Sequence, residues 1–254
     1  MGAGQAGTVA SMMEGDRIDP AGIRLLQDRT DRLVETTATH WAWAAMLGDA
    51  RTRSNEGRRA AIADRGTANS QVDLLGAFAE LLLLAWATRL YPQPVIDDMA
   101  GHLYHPDGGG EVEGADLRLP SIETGALTGI DVKSFDCAPQ KRFFAINAAK
   151  HAALAGNCAY YFCVLAAPYG KQAAVARLVP YDAVSDWSVE GLRAGGSASR
   201  NLGIDEFIRR HCSHPPSIRS LRDDCHPQEA VAALRRDPAC RNKLRRLIPG
   251  LPIA

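Results

Sequence analysis

Gly114-Ala115-Asp116-Leu117-Arg118-Leu119 and, after a polar link, Gly129-Ile130-Asp131-Val132-Lys133-Ser134-Phe135 carry the reading that decides the fold. Each run is short and apolar with an acid set among its neighbours, as a partly buried strand requires. Side chains alternate along a strand, so Asp131 and Lys133 fall on the same face. A carboxylate and an ammonium therefore stand side by side, with Asp116 on a neighbouring strand. Two carboxylates that converge near a lysine suit a hard divalent cation and the water it activates.

Upstream, Ser70 to Leu90 is predicted as a helix, with Ser70 as N-cap and Tyr91-Pro92-Gln93-Pro94 ending it. It is apolar nearly all round, which implies burial on most sides. Glu80 sits in its middle, within Gly76-Ala77-Phe78-Ala79-Glu80-Leu81. A buried carboxylate must be paired, protonated or bound to metal. Simpler roles stay open for each acid. An arginine of the N-terminal segment could satisfy Glu80, Asp116 could pair with Arg118, and Asp131 with Lys133 could be an exposed strand pair.

Further out, Asp19 to Ala63 has a helical pattern that Gly48 and Gly57 are expected to interrupt. A strand is predicted near Val95-Ile96, then a loop from His102 through Gly108-Gly109-Gly110. Arg142 to Leu154 reads as a helix with Phe143, Ile146, Asn147 and Lys150 spaced along it. Cys158 to Ala166 is a continuous apolar run, typical of a central strand covered on both faces. Lys171 to Val179 reads as an edge strand, and Ile204–His211, Gln228–Arg236 and Arg241–Leu247 as short helices. The expected division is an N-terminal helical region (1–66), a core (67–185) and a C-terminal helical appendage (186–254).

Hydrophobic residues make up 46% of the chain, enough for a real core. The formal net charge is zero, so overall charge casts no vote for nucleic acid. Arginines nonetheless crowd two segments, Arg51, Arg53, Arg58, Arg59 and Arg65, and Arg235, Arg236, Arg241, Arg245 and Arg246 with Lys243. Each cluster is either a phosphate-facing patch or a solvated helix face. No run is long and apolar enough for a transmembrane helix, and no signal peptide is evident, so no membrane role and a cytoplasmic home are expected. The six cysteines form no CxxC pair; Cys212, His214, Cys225 and His226 could ligate zinc, but their spacing matches no zinc pattern.

The order of elements is helix with Glu80, strand, strand with Asp116, strand with Asp131-Val132-Lys133, helix, strand. Over roughly residues 70–182 this resembles the PD-(D/E)xK nuclease superfamily, although Ala115 stands where the naming proline would be. The resemblance implies an α/β chain with a restriction-endonuclease-like core, a central mixed β-sheet flanked by helices. It implies a metal-dependent endonuclease that hydrolyses phosphodiester bonds of DNA, with RNA left open. In that reading Asp116, Asp131, Glu80 and the Val132 carbonyl hold Mg2+ or Mn2+, and Lys133 positions water or offsets developing charge. Arg142, Asn147 and Lys150, following the Asp-x-Lys strand, contact nucleic-acid phosphate. The resemblance further implies a homodimer on duplexes and a restriction or phage-defence role. The alternatives are a non-catalytic nucleic-acid-binding module on the same fold, and a nuclease toxin or effector controlled by a partner protein.

Overall fold

The apolar run ending at Ala166 forms the central strand of the main sheet. In the computed structural model, which describes residues 30–59, 69–89, 115–120, 127–190 and 198–253, this strand is fully buried from Tyr161 onward. The sheet order is β1 (Arg32–Glu35), β6 (Gln172–Val175), β5 (Tyr160–Ala166), β3 (Leu127–Asp136) and β2 (Leu117–Pro120). β3 runs parallel to β5, with Asp131 opposite Tyr161 and Lys133 opposite Cys163; the other pairings in this sheet are antiparallel. β7 (Val179–Pro180) continues the line of β6 along the lower half of β5. A second, three-stranded sheet has the order β4 (Phe143–Asn147), β9 (Ser199–Gly203), β8 (Ser188–Glu190). The architecture is mixed α/β.

Each face of the main sheet has its own core. Ile130, Val132, Phe162, Val164 and Val175 pack beneath α1 (Ala38–Arg59) and α2 (Asn69–Ala87). Trp41 of α1 stacks on Phe78 of α2 at 4.1 Å and donates its indole N–H to the Gly170 carbonyl at 2.8 Å. That couples the helix pair to the turn before β6. Residues of α7 (Gln228–Arg236) and α8 (Pro238–Leu247), among them Val231 and Leu244, close the same core from the C-terminal side. On the opposite face Phe135, Tyr161, Cys163 and Leu165 meet Phe144 and Ile146 of β4, Trp187 and Phe207. Phe207 belongs to α5 (Ile204–His211), and its ring stacks on Phe144 at 4.3 Å.

Several elements differ from expectation. Arg32–Glu35 is a strand, and α1 begins after it at Ala38 and runs through Gly48 without a break. Gly48 instead marks the closest approach of the two helices, where a Cβ would lie 3.1 Å from the Leu74 nitrogen. Residues 143–147 form a strand, not a helix: burial alternates along Phe143–Asn147, and β9 supplies a full antiparallel ladder. Only Ala148–Ala153 is helical (α3). β6 is an inner strand, because β1 covers its outer side. Residues 186–203 contribute β8 and β9, so the C-terminal segment is wholly helical and loop-like only beyond Gly203, with α6 (Ile218–Asp223) between α5 and α7. The remaining short helix, α4 (Tyr181–Ser185), follows β7 directly. The expectations for 19–29, Arg65, Val95-Ile96, His102, His105, the 102–110 loop and the centre of the β2–β3 link lie outside the described residues.

Candidate active site

β2 stops pairing with β3 at the Leu117–Ile130 register, and among the described residues no strand pairs with the next stretch of β3 on that side. Asp116, the residue just before β2, takes over: its Oδ2 accepts the Val132 N–H at 2.7 Å. A side chain thus supplies the ladder bond that a strand would have made, and a carboxylate is fixed against the middle of β3.

Asp131 is fully buried at the next position along β3. Lys133, on the same face, donates to Asp131 Oδ2 and to the Val132 carbonyl oxygen, the latter at 3.3 Å. Its ammonium also lies 5.8 Å from the Tyr161 ring centroid. Lys150 of α3 brings a second ammonium to 3.6 Å from Asp131 Oδ1. That exceeds a hydrogen bond, and Oδ1 is a buried oxygen without a hydrogen-bond partner among the described residues. Burial pushes the Asp131 carboxyl above its ordinary pKa; Lys133 and Lys150 pull it back, and Asp116 pushes it further up.

Glu80 arrives from α2. Arg51 of α1 grips it through two parallel bonds, Nη1 to Oε1 at 3.0 Å and Nη2 to Oε2. Burial raises the Glu80 pKa, Arg51 and Lys150 oppose that, and Asp116 adds to it. Burial alone would lower the Arg51 pKa, but Glu80, Asp116 and Asp73 more than offset it. Asp116 therefore acts electrostatically on Arg51, Glu80 and Asp131, and Lys150 on both Glu80 and Asp131. Asp116 and Lys150 thereby link the Arg51–Glu80 pair electrostatically to Asp131.

The sequence-predicted Glu80, Asp116, Asp131 and Lys133 all enter this cluster. Asp131 is buried rather than an exposed strand residue, and Glu80 adopts its simpler alternative, pairing with an arginine of the N-terminal segment. Lys150 stands against Asp131, while Asn147 spends its side chain as the N-cap of α3, accepting the Lys150 N–H at 2.9 Å. Arg142 is exposed at the opposite end of β4 from α3. Arg51 was missed. Trp41, Ala44 and Gly48 are buried at helical spacing on α1, and Arg51 is the next residue of that stripe. His151 is structural: its ring bonds the Tyr161 hydroxyl at 2.7 Å and Ser185 Oγ at 2.9 Å. It thereby anchors α3, and so the backbone that carries Lys150.

The donor set fits a hard cation in part. Its atoms are oxygens, and the Asp131 Oδ1 lacks a hydrogen bond, as a ligand oxygen held in reserve would. Lys133 Nζ touches Asp131 Oδ2 and the Val132 carbonyl, two of the oxygens assigned to the ion, so an ammonium stands where the second charge would go. Glu80 is committed to Arg51. In keeping with that, no group of three or more His, Cys, Asp or Glu side chains among the described residues is arranged to hold a metal. This includes the Cys212, His214, Cys225, His226 set; His226 Nε2 meets Thr36 Oγ1 at 3.2 Å. All six cysteines are free, and among the described residues no helix is long and apolar enough to cross a membrane. Comparison with protein-family models, with curated proteins and with solved structures finds no match to this chain.

Proposed function

We propose that this chain is a phosphodiester hydrolase with a restriction-endonuclease-like core, acting on DNA with Mg2+ or Mn2+. The observation that carries the reading is the fully buried Asp131, whose Oδ1 has no hydrogen bond among the described residues, set beside Asp116, which bonds the Val132 N–H of β3. A buried carboxylate oxygen left without a hydrogen bond is costly for a purely structural residue, and three coupled acids are a common mark of a working site. Asp131, Asp116 and the Val132 carbonyl would hold the ion, with Glu80 reaching it through water because Arg51 already holds its carboxylate. When bound, the ion would polarise the phosphate and make hydroxide available near neutral pH. Lys133 leaves its contact with Asp131 and turns its ammonium toward the attacking water and the phosphate. Lys150 supplies a second positive charge to the phosphate oxygens, where charge builds in the transition state. Arg51 holds Glu80 in place.

The test is plasmid DNA incubated with the protein and Mg2+ or Mn2+, with and without EDTA, beside Asp131→Asn. Cleavage that EDTA abolishes and that slows by about 100-fold or more in the variant is expected. Mn2+ binding followed by electron paramagnetic resonance should weaken in parallel. Tight DNA binding without cleavage under any of these conditions would favour the non-catalytic binding module instead. Undiminished cleavage in a correctly folded Asp131→Asn would reject the site.

A further inference from the structure

The two arginine clusters lie far apart in sequence, yet four of their members line a single cavity. It measures about 340 Å3 and lies between α1, α7 and α8. Arg53, Arg235, Arg236 and Arg241 line it together with Asp49, and Ile253 forms part of its apolar wall. Among the described residues that line it, four guanidinium groups stand with one carboxylate. At least two of the arginines are held by the protein itself. Arg235 pairs with Asp49, and Arg53 donates to the Pro252 carbonyl at 3.1 Å, so both heads are fixed at the rim before any ligand arrives. Arg236 is exposed at the last turn of α7.

We propose that this cavity is a second site that takes a phosphate ester of nucleotide size. Planar, always-charged guanidinium groups match phosphate oxygens in pairs, and converging arginines repel one another unless an anion sits among them. The apolar wall gives the rest of such a ligand a surface to lie on. The site is separate from the acidic cluster. Arg51 and Arg53 are two residues apart on one helix, which turns their side chains roughly 200° from each other. Arg51 faces Glu80, and Arg53 faces the cavity. The inference therefore stands or falls independently of the nuclease reading.

A phosphate ester can come from a free nucleotide or from the end of a nucleic-acid strand, and the test separates the two. Wild-type protein, Arg236→Ala and Arg236→Glu are titrated calorimetrically with pyrophosphate, with AMP, and with a short single-stranded oligonucleotide with or without a 5′-phosphate. EDTA is present throughout, so that divalent metal is kept out of the acidic site. Binding of AMP or of the 5′-phosphorylated oligonucleotide is expected, at least about tenfold weaker in Arg236→Ala and weaker still in Arg236→Glu. AMP binding alone identifies a nucleotide site, and preference for the phosphorylated oligonucleotide identifies a strand-end site. No binding by any of the ligands at millimolar concentration overturns the proposal. So does equal affinity in the wild type and in Arg236→Glu variants that melt at the wild-type temperature.

Discussion

Arg51 and Glu80 show how much one ion pair can hold. Both side chains are largely withdrawn from water, with 21% and 14% of their surface exposed, and the bidentate geometry leaves each dependent on the other. Removing one partner strands a charge. Arg51→Met should therefore cost about 3–5 kcal/mol in urea unfolding, and Glu80→Gln placed in the same chain should recover a good part of it. If Arg51→Met alone unfolds at the wild-type urea concentration, the pair is incidental. Asp131 and Lys133 could be placed on one face from sequence, because strand alternation is a local property. Arg51 could not be found that way. Its contact with Glu80 spans 29 residues and depends on how closely two helices approach. The role of Lys150 was half legible: its place after the Asp-x-Lys strand was visible, but its approach to Asp131 depends on α3 being anchored through His151.

At the scale of elements, β3 is held in place by a glycine as well as by its neighbours. A Cβ at Gly129 would lie 1.8 Å from the Asn157 carbonyl oxygen, and the Gly129 carbonyl accepts the Ala159 N–H at 2.8 Å. Neither group can yield without moving the start of β5. Gly129→Ala is expected to destabilise by about 3 kcal/mol or more, and Gly48→Ala, whose contacts begin at 3.1 Å, by about 1 kcal/mol. Thermal melts of the two variants should rank them in that order. At the C-terminal end of α5, burial and the neighbouring Arg177 and Arg210 hold His211 down to a pKa of about 4, against an ordinary 6.5. Its Nε2 is buried without a hydrogen bond among the described residues. The unfolded chain protonates this ring near pH 6.5 and the folded chain near 4, so between those values the unfolded state binds more protons. Stability from this group is thus complete above about pH 6.5 and is lost as pH falls toward 4, a change of roughly 3 kcal/mol. His211→Phe should remove that slope from urea melts taken across pH 4–7, and an unchanged slope would assign the acid sensitivity elsewhere. Which elements were legible follows the same physics. The β5 run announced itself by seven apolar residues in a row. β4 did not, because five residues with Phe143 and Ile146 three apart satisfy a helical period as well as a strand's, and its partner β9 lies more than fifty residues downstream. β1 is mostly exposed, so it carries no apolar alternation to read.

Over the whole molecule, the C-terminal segment is built into the same layer as α1 and α2. Val231, Leu244, Ile248, Leu251 and Ile253 are buried in the core that α1 and α2 form over the sheet. At about 2 kcal/mol for each buried aliphatic side chain, that is roughly 10 kcal/mol of transfer free energy, as large as the net stability of an ordinary domain. A chain ended at Asp223 should therefore lose its near-ultraviolet circular dichroism and bind anilinonaphthalene sulfonate; a soluble, cooperatively melting product would show that the last thirty residues are dispensable. The sequence suggested appendages here because apolar periodicity in 228–247 is visible, whereas the surface it covers is not. This closure also sets an order of events during synthesis. α1 and α2 leave the ribosome early, but α7 begins only at Gln228, roughly 140 residues after α2 ends at Ala87. At ~5–20 residues per second, the nascent chain carries the bare outer flank of α1 for about 7–28 s before its cover is made. Through that interval the flank of α1 that carries Trp43 and Met46 stays uncovered, and the docking of the C-terminal helices closes it.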